Sequence, residues 1–265
     1  MSLSSAPPAL SAVVTALRSA GCVFAEDEAE LIVAAAAGPA ALAAMVEQRA
    51  AGHPLEHVLG WAEFDGLRIA VGPGVFVPRR RTEFLLHQAV ALARPGAVVV
   101  DLCCGSGALG AALAARLGRV ELHASDVEPA AVRCARRNLA GTGEVHRGDL
   151  FAPLPRPLRG RVEILLANVP YVPTDDVGLL PPEARIHEPR VALDGGPDGL
   201  DVLRRVAAEA PHWLAPGGHL LIETSERQAP RAEETLARHG LIPRVVVSDE
   251  LYATVVVATR PEGLG

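Results

Sequence analysis

The sequence predicts an α/β fold, a mostly parallel seven-stranded sheet with helices on both faces, preceded by a small helical domain and a β-hairpin linker. Three observations carry this. From Thr82 onward, apolar runs that read as buried strands alternate with helical segments. Residues 7–52 are instead Ala-rich and helical in pattern. Between the two parts the hydrophobic period switches to two. At 265 residues, 49% of them hydrophobic, the chain is long enough for one large domain plus a small one.

The elements follow in order. Gly21, Gly38 and Gly52 punctuate three candidate helices across residues 7–52, and Pro39 suits a first helical turn. Glu26, Asp27 and Glu28 suit the N-terminus of the second helix. No reactive constellation lies here, so residues 1–62 are expected to be a helical domain that packs or holds a partner. In the linker, 63–78, Leu67, Ile69 and Val71 alternate, Gly72-Pro73-Gly74 breaks the run, and Val75 and Val77 alternate again, which predicts a hairpin with arms on either side of that break. Residues 79–265 form the main domain. Its expected helices are 82–93, 108–117, 129–139, 199–214 and 230–239; its strands are 97–102, 120–125, 144–147, 162–167, 218–223, 241–247 and 254–258. A long loop separates the fourth strand from the next helix. The last two strands follow one another directly, so an antiparallel pair should close one side of the sheet.

Bulk properties narrow the function classes. The formal charge of −6 disfavours wrapping nucleic acid with the whole surface, although every basic residue is Arg and local patches exist at Arg79–Arg81 and at Arg133, Arg136 and Arg137. The second patch reads as a solvated helix face. No apolar run approaches the roughly 20 residues needed to span a bilayer, and Met1 to Pro8 lacks the basic-then-apolar layout of a signal peptide. Cys22, Cys103, Cys104 and Cys134 form no C-x-x-C pair, the adjacent Cys103 and Cys104 are poorly placed to bridge, and metal spacing is absent. A reduced, cytoplasmic, metal-free monomer is expected.

Two stretches carry the chemistry. The first is Asp101-Leu102-Cys103-Cys104-Gly105-Ser106-Gly107-Ala108-Leu109-Gly110, after a buried strand. Its glycines match the dinucleotide fingerprint, which alone is weak: they allow a sharp turn and close ligand approach, and the following helix offers its N-terminus to an anion. Neighbouring acids decide between cofactors. Asp101 would repel a pyrophosphate but could orient the ammonium and sulfonium of S-adenosylmethionine. Asp126, ending the second strand, can accept from both ribose hydroxyls. Asp149 could accept from an adenine amino group, with Leu150 packed on the ring. S-adenosylmethionine is therefore expected, with Asp101, Cys103, Cys104, Gly105, Ser106, Gly107, Asp126, Asp149, Leu150 and Asn168 as its contacts.

The second stretch, Asn168-Val169-Pro170-Tyr171, leaves the strand 162–167 at its C-terminal end, where open α/β sheets bind ligands. The Asn168 side-chain carbonyl can accept one N–H of an acceptor nitrogen and the Val169 backbone carbonyl the other. Pro170 holds Val169 extended, and the Tyr171 ring can stack on a planar amide or base. Two such acceptors would orient and polarise the nitrogen. Asn168, Val169, Pro170 and Tyr171 are the expected catalytic and acceptor-binding residues.

With these residues in view, the chain resembles the HemK/PrmC release-factor glutamine methyltransferases along nearly its whole length. Arg49 to Gly60 looks like the family's segment before its hairpin, and Gly66 to Glu83 like its hairpin and Pro-Arg-x-x-Thr-Glu entry. Asn168 to Tyr171 matches its Asn-Pro-Pro-Tyr clamp. Glu188-Pro189 and Ala192-Leu193-Asp194-Gly195-Gly196-x-Asp198-Gly199 match its later loop. The resemblance implies a helical domain that contacts a protein substrate, a Rossmann-like S-adenosylmethionine-dependent catalytic domain, Arg79 in substrate binding, and methylation of the glutamine of a Gly-Gly-Gln loop in a translation release factor. Val169 replaces the first Pro of the clamp, Arg80 and Arg81 replace a Pro and an acid, and Cys103 replaces the first glycine of the cofactor loop, which marks a divergent member. The same clamp would also suit the amino group of an adenine or guanine in RNA or DNA, or a small molecule. Against nucleic acid stand the charge, 3% aromatic content and no evident target-reading domain. Against a non-enzymatic cofactor-binding protein stand the intact Asn168 and Tyr171.

Overall fold

In the computed structural model, which describes residues 8–263, the Ala-rich opening folds as α1 (Pro8–Ser19), α2 (Ala25–Ala35) and α3 (Pro39–Ala50), then a short α4 (Leu55–Leu59). Residues 1–7, where a leader signature was sought, lie outside the described residues. The helices share a small core of Val13, Leu17, Ala25, Ala29 and Ile32. Beside it, buried Arg49 donates through Nε and Nη2 to Glu28 (2.6 and 3.0 Å) and through Nη1 to Glu183 (2.7 Å). An ion cluster this buried fixes geometry more than it adds net stability.

The hairpin lies elsewhere than predicted. Its arms are β1 (Trp61–Phe64) and β2 (Leu67–Ala70), with Trp61 opposite Ala70 and Phe64 opposite Leu67. The turn is Asp65-Gly66, at φ 48° and 74°, the pair of left-handed residues that a two-residue type I′ turn requires. The expected second arm does not pair: Leu67–Ala70 is taken up by β1, and the Ala70 N–H and carbonyl are engaged by the Asn138 side chain at 2.9 Å each. Gly72-Pro73-Gly74 does turn, closed by the Val75 N–H on the Gly72 carbonyl at 3.1 Å, but residues 71–78 remain a strap outside both sheets. Val75 and Val77 are buried, the Val75 carbonyl contacts His57 Nε2 at 2.9 Å, and the Val77 N–H donates to Glu188 at 3.1 Å.

The main domain then follows the predicted alternation: α5 (Glu83–Leu92), β3 (Val98–Leu102), α6 (Ala108–Leu117), β4 (Glu121–Asp126), α7 (Pro129–Asn138), β5 (Gly143–Arg147) and β6 (Val162–Ala167). Arg133, Arg136 and Arg137 lie exposed on α7, as expected of a solvated face. The long loop after β6 contains a short helix, α8 (Pro182–His187), which the sequence did not signal. After it come α9 (Asp201–Trp213), β7 (Leu214–Thr224), α10 (Ala229–Arg238), β8 (Ile242–Ser248) and β9 (Ala253–Thr259). The strand β7 starts four residues earlier than predicted. Pro216-Gly217 reads as a breaker but sits in an irregularity where pairing with β6 jumps from Val162–Leu214 to Ile164–His219.

The sheet order is β5-β4-β3-β6-β7-β9-β8, parallel from β5 to β7, with β9 antiparallel to both its neighbours. The expected seven-stranded, mostly parallel sheet is thus present. Along β3, Val98, Val100 and Leu102 enter the core beneath α9 and α10, while Val99 enters the core beneath α5 and α6. Burial on both faces explains why β3 reads as a continuous apolar run. After β5 the chain crosses back to place β6 beside β3. That reversal opens a crevice at the C-terminal strand ends, the usual ligand position in such sheets. Among the described residues, no helix is long and apolar enough to cross a membrane.

Candidate active site

A cavity of about 460 Å³ opens at this crevice. One half of its wall is the loop after β3 and the ends of β4 and β5. Cys103, Cys104, Gly105, Ser106, Asp126, Asp149 and Leu150 all line it. Asp126 is held from behind: Oδ2 accepts the Gly105 N–H and Oδ1 the Glu128 N–H, each at 2.9 Å. Burial outweighs these bonds and raises its carboxyl above the usual range. Asp149, at the rim, pairs with Arg205. Cys103 and Leu150 both adopt left-handed φ, 52° and 48°. Strained backbone of this kind concentrates at ligand sites. Burial pushes the Cys103 and Cys104 thiols up, so neither is a poised nucleophile.

Two predicted contacts sit one layer back from the wall. Asp101 is 1% exposed beneath the loop. Its Oδ2 accepts the Gly110 N–H at 3.1 Å, while its Oδ1 is buried without a partner. Burial lifts its carboxyl to about 7. Gly107 does not line the cavity either. At φ 80°, a methyl there would press within 3.2–3.3 Å of Ala135 and Leu139, so this glycine serves packing on α7.

The other half of the wall is the clamp, Asn168 to Tyr171 at the end of β6, with Arg79, Arg81, Thr82 and Glu223 across from it. Asn168 Nδ2 donates to Thr82 Oγ1 at 3.4 Å, which leaves its carbonyl oxygen as the acceptor end. Val169 is buried, and among the described residues no hydrogen bond reaches its carbonyl. The Tyr171 hydroxyl donates to Glu223 Oε1 at 2.9 Å. Burial, and then the Glu223 charge, push this phenol far above its ordinary value. The clamp's back is sealed by the later glycine loop. Gln228 Nε2 donates to the carbonyls of Tyr171 and Asp198, both at 2.9 Å, and Gly195 N–H donates to Val172 at 2.8 Å. At Gly199, φ 75°, a side chain would overlap the Tyr171 carbonyl.

Arg79 is engaged more than the sequence implied. Its Nη2 reaches both oxygens of Glu188, at 2.7 and 2.6 Å. Sequence reasoning missed Thr82, Gln228 and Glu223 as wall or backing residues. Glu223 ends a parallel strand as Asp101 and Asp126 do, and that shared position was the available signal. Away from the cavity, His123, Glu144 and His146 place ligand-type atoms within 4.8 Å of one another. The two rings meet with Nδ1 and Nε2 3.1 Å apart, centroids 5.4 Å apart and planes 20° off parallel. Such a head-on contact is that of a direct N–H···N hydrogen bond.

The parallel sheet, the glycine loop and the clamp together define a methyltransferase with a Rossmann-like fold. The family model of the methyltransferase small domain matches residues 66–179. A solved methyltransferase from Pyrococcus furiosus superposes with a TM-score of 0.57 at 16% identity, covering 74% of this chain and 90% of that one, a likeness of fold. The release factor glutamine methyltransferase of Mycolicibacterium smegmatis is 39% identical over 274 residues, spanning 95% of this chain and 96% of the relative. That of Geobacter sulfurreducens is 39% identical over 224 residues, spanning 83% and 78%. The chain belongs to the release factor glutamine methyltransferase family.

Proposed function

We propose that this enzyme methylates the side-chain amide nitrogen of a glutamine in a protein, the Gly-Gly-Gln loop of a peptide chain release factor, with S-adenosylmethionine as methyl donor. The observation that carries the reading is the clamp: an amide-bearing Asn168, the unengaged Val169 carbonyl and the Tyr171 ring share one cavity wall, facing a glycine loop backed by acids. The residues present fit the donor. Asp101 lies one layer behind the wall, but its unpartnered Oδ1 is a buried acceptor beneath the glycine loop, an environment that suits a cationic ligand better than a pyrophosphate. Asp126 suits a ribose diol, and Leu150 with Cys103 offers an apolar shelf beside Asp149. When bound, S-adenosylmethionine supplies an electrophilic methyl group.

The chain's own part is to hold the amide. Asn168 and the Val169 carbonyl accept its two N–H groups, which fixes the nitrogen's lone-pair direction and favours the charge that develops there. Tyr171 stacks on the amide plane. Transfer would form the N–C bond as the sulfonium C–S bond breaks to leave a neutral thioether; the alkylated nitrogen is then strongly acidic and gives its proton to water, so a dedicated base is not required. Residues 1–62 are proposed to hold the protein substrate, with 79–265 as the catalytic unit, acting in the cytoplasm as a monomer without metal. Incubation with tritiated S-adenosylmethionine and release factor, total RNA, DNA or small-molecule extract, followed by peptide mass analysis, tests the reading. Label on the Gly-Gly-Gln glutamine is expected; label in RNA, DNA or a small molecule with none in the release factor refutes it.

A further inference from the structure

Glu223 is the point where the two polar arms of the clamp meet. Its side chain is 2% exposed at the C-terminal end of β7. Three donors converge on it from two distant segments. Tyr171 Oη reaches Oε1 at 2.9 Å, Thr82 Oγ1 reaches Oε2 at 2.6 Å, and Arg81 Nε reaches Oε1 at 3.1 Å. Thr82 in turn accepts from Asn168 Nδ2 at 3.4 Å. The carboxylate therefore touches the ring that would stack on the acceptor and, one hydroxyl removed, the amide that would orient it. Arg81 supplies the compensating charge and also lies 5.9 Å from the Tyr171 ring centre. A buried carboxylate with all its near donors satisfied makes a stiff network, because low local dielectric strengthens each bond and penalises any departure.

We propose that Glu223 is a positioning residue of the methyl-transfer site, setting Tyr171 directly and Asn168 through Thr82, with Arg81 as its counter-ion. This rests on the reading of Asn168 to Tyr171 as the acceptor clamp. Glu223 does not itself receive a proton or touch the methyl donor. Its effect is on the orientation of the acceptor, so it should appear in turnover and not in donor affinity.

The chain has only two tyrosines, Tyr171 and an 89% exposed Tyr252. Full-length protein labelled at the tyrosine 13Cζ alone thus gives two resonances, one reporting the clamp. In Glu223→Gln the Tyr171 signal should move while that of Tyr252 stays, because the phenol loses a charged acceptor. In the transfer assay the same variant should lose about tenfold in kcat, the scale of one charged hydrogen bond, with the dissociation constant for S-adenosylhomocysteine unchanged. An unmoved Tyr171 resonance overturns the proposal, whatever acceptor the enzyme uses. So does a loss of activity matched by an equal loss of S-adenosylhomocysteine affinity and melting temperature. If Glu223→Gln does not fold, Tyr171→Phe and Thr82→Val each remove one arm; a several-fold fall in kcat is expected from each, and wild-type turnover in both overturns it. A wild-type enzyme that labels RNA but not release factor would refute the substrate reading and leave the tyrosine result standing.

Discussion

Gly199→Ala should damage the protein far more than Gly196→Ala, although both glycines have left-handed φ and in both a methyl would overlap a neighbour. The neighbours decide. At Gly196 the obstacle is the Asp201 carboxylate, whose side chain is 54% exposed and can swing into solvent. The cost is then the left-handed alanine alone, about 1–2 kcal/mol. At Gly199 the obstacles are the Tyr171 carbonyl and the Gln228 amide nitrogen that binds it. A methyl there breaks the hydrogen bonds of Gln228 to the Tyr171 and Asp198 carbonyls as well. With the backbone strain, the loss is about 3 kcal/mol or more. For a domain of this size that corresponds to a fall of about 6–12 °C in Tm. Because Tyr171 is displaced, methyl transfer by the folded fraction should drop about 100-fold, the scale of a 1 Å misplacement. Thermal unfolding and single-turnover transfer measured on both variants provide the check. A Gly199→Ala protein that melts within 2 °C of wild type and retains its rate, or a Gly196→Ala protein that is the worse of the two, would refute the reasoning.

Asn168→Ala should slow transfer about 100- to 1000-fold with the fold intact, while Val169→Pro should be mild, since Pro170 already favours an extended residue there; steady-state kinetics on the pair would expose a misread clamp if that order were reversed. Asp126→Ala should weaken binding of S-adenosylmethionine by about 1–3 kcal/mol, and an unchanged dissociation constant by calorimetry in a folded variant would remove it as the ribose acid. Asp101 is raised to about 7 by burial, so the folded state holds its proton more tightly than the unfolded state does. Stability of the ligand-free enzyme should therefore decline as pH rises from about 4 through about 7. Asp101→Asn should flatten that slope in urea titrations; an identical slope would show the buried carboxyl to be ionised at little cost.

The sheet was legible because its central strands, β3 and β6, are buried and read as continuous apolar runs. Alternating apolar and helical segments fixed the order of elements, and Asn168 or Asp126 could be placed because strand ends bind ligands in this architecture. The hairpin lies upstream of its expected place because Asp65-Gly66 supplies the two left-handed residues a tight two-residue turn needs, whereas Gly72-Pro73-Gly74 turns without paired arms. Asp101 and Gly107 were assigned to the ligand by position in a motif, but their depth below the wall depends on packing against α6 and α7, which no local pattern encodes. For Glu223 the strand-end position is legible, but its role is not. Its partners Thr82 and Tyr171 lie 141 and 52 residues away, and only the folded sheet brings them together.

The segment between β6 and α9 is guyed at three stations: Glu183 to Arg49, Glu188 to Arg79, and the Tyr171 and Asp198 carbonyls to Gln228. These ties hold the segment against both the helical domain and the sheet, so the shape of the mouth is set by residues far apart in the chain. Leu180 and Val191, the latter 47% exposed, line the cavity from that segment and give its rim an apolar side. Anyone wishing to widen the enzyme's diet should cut a guy rope at Glu183 first and leave Asn168 alone.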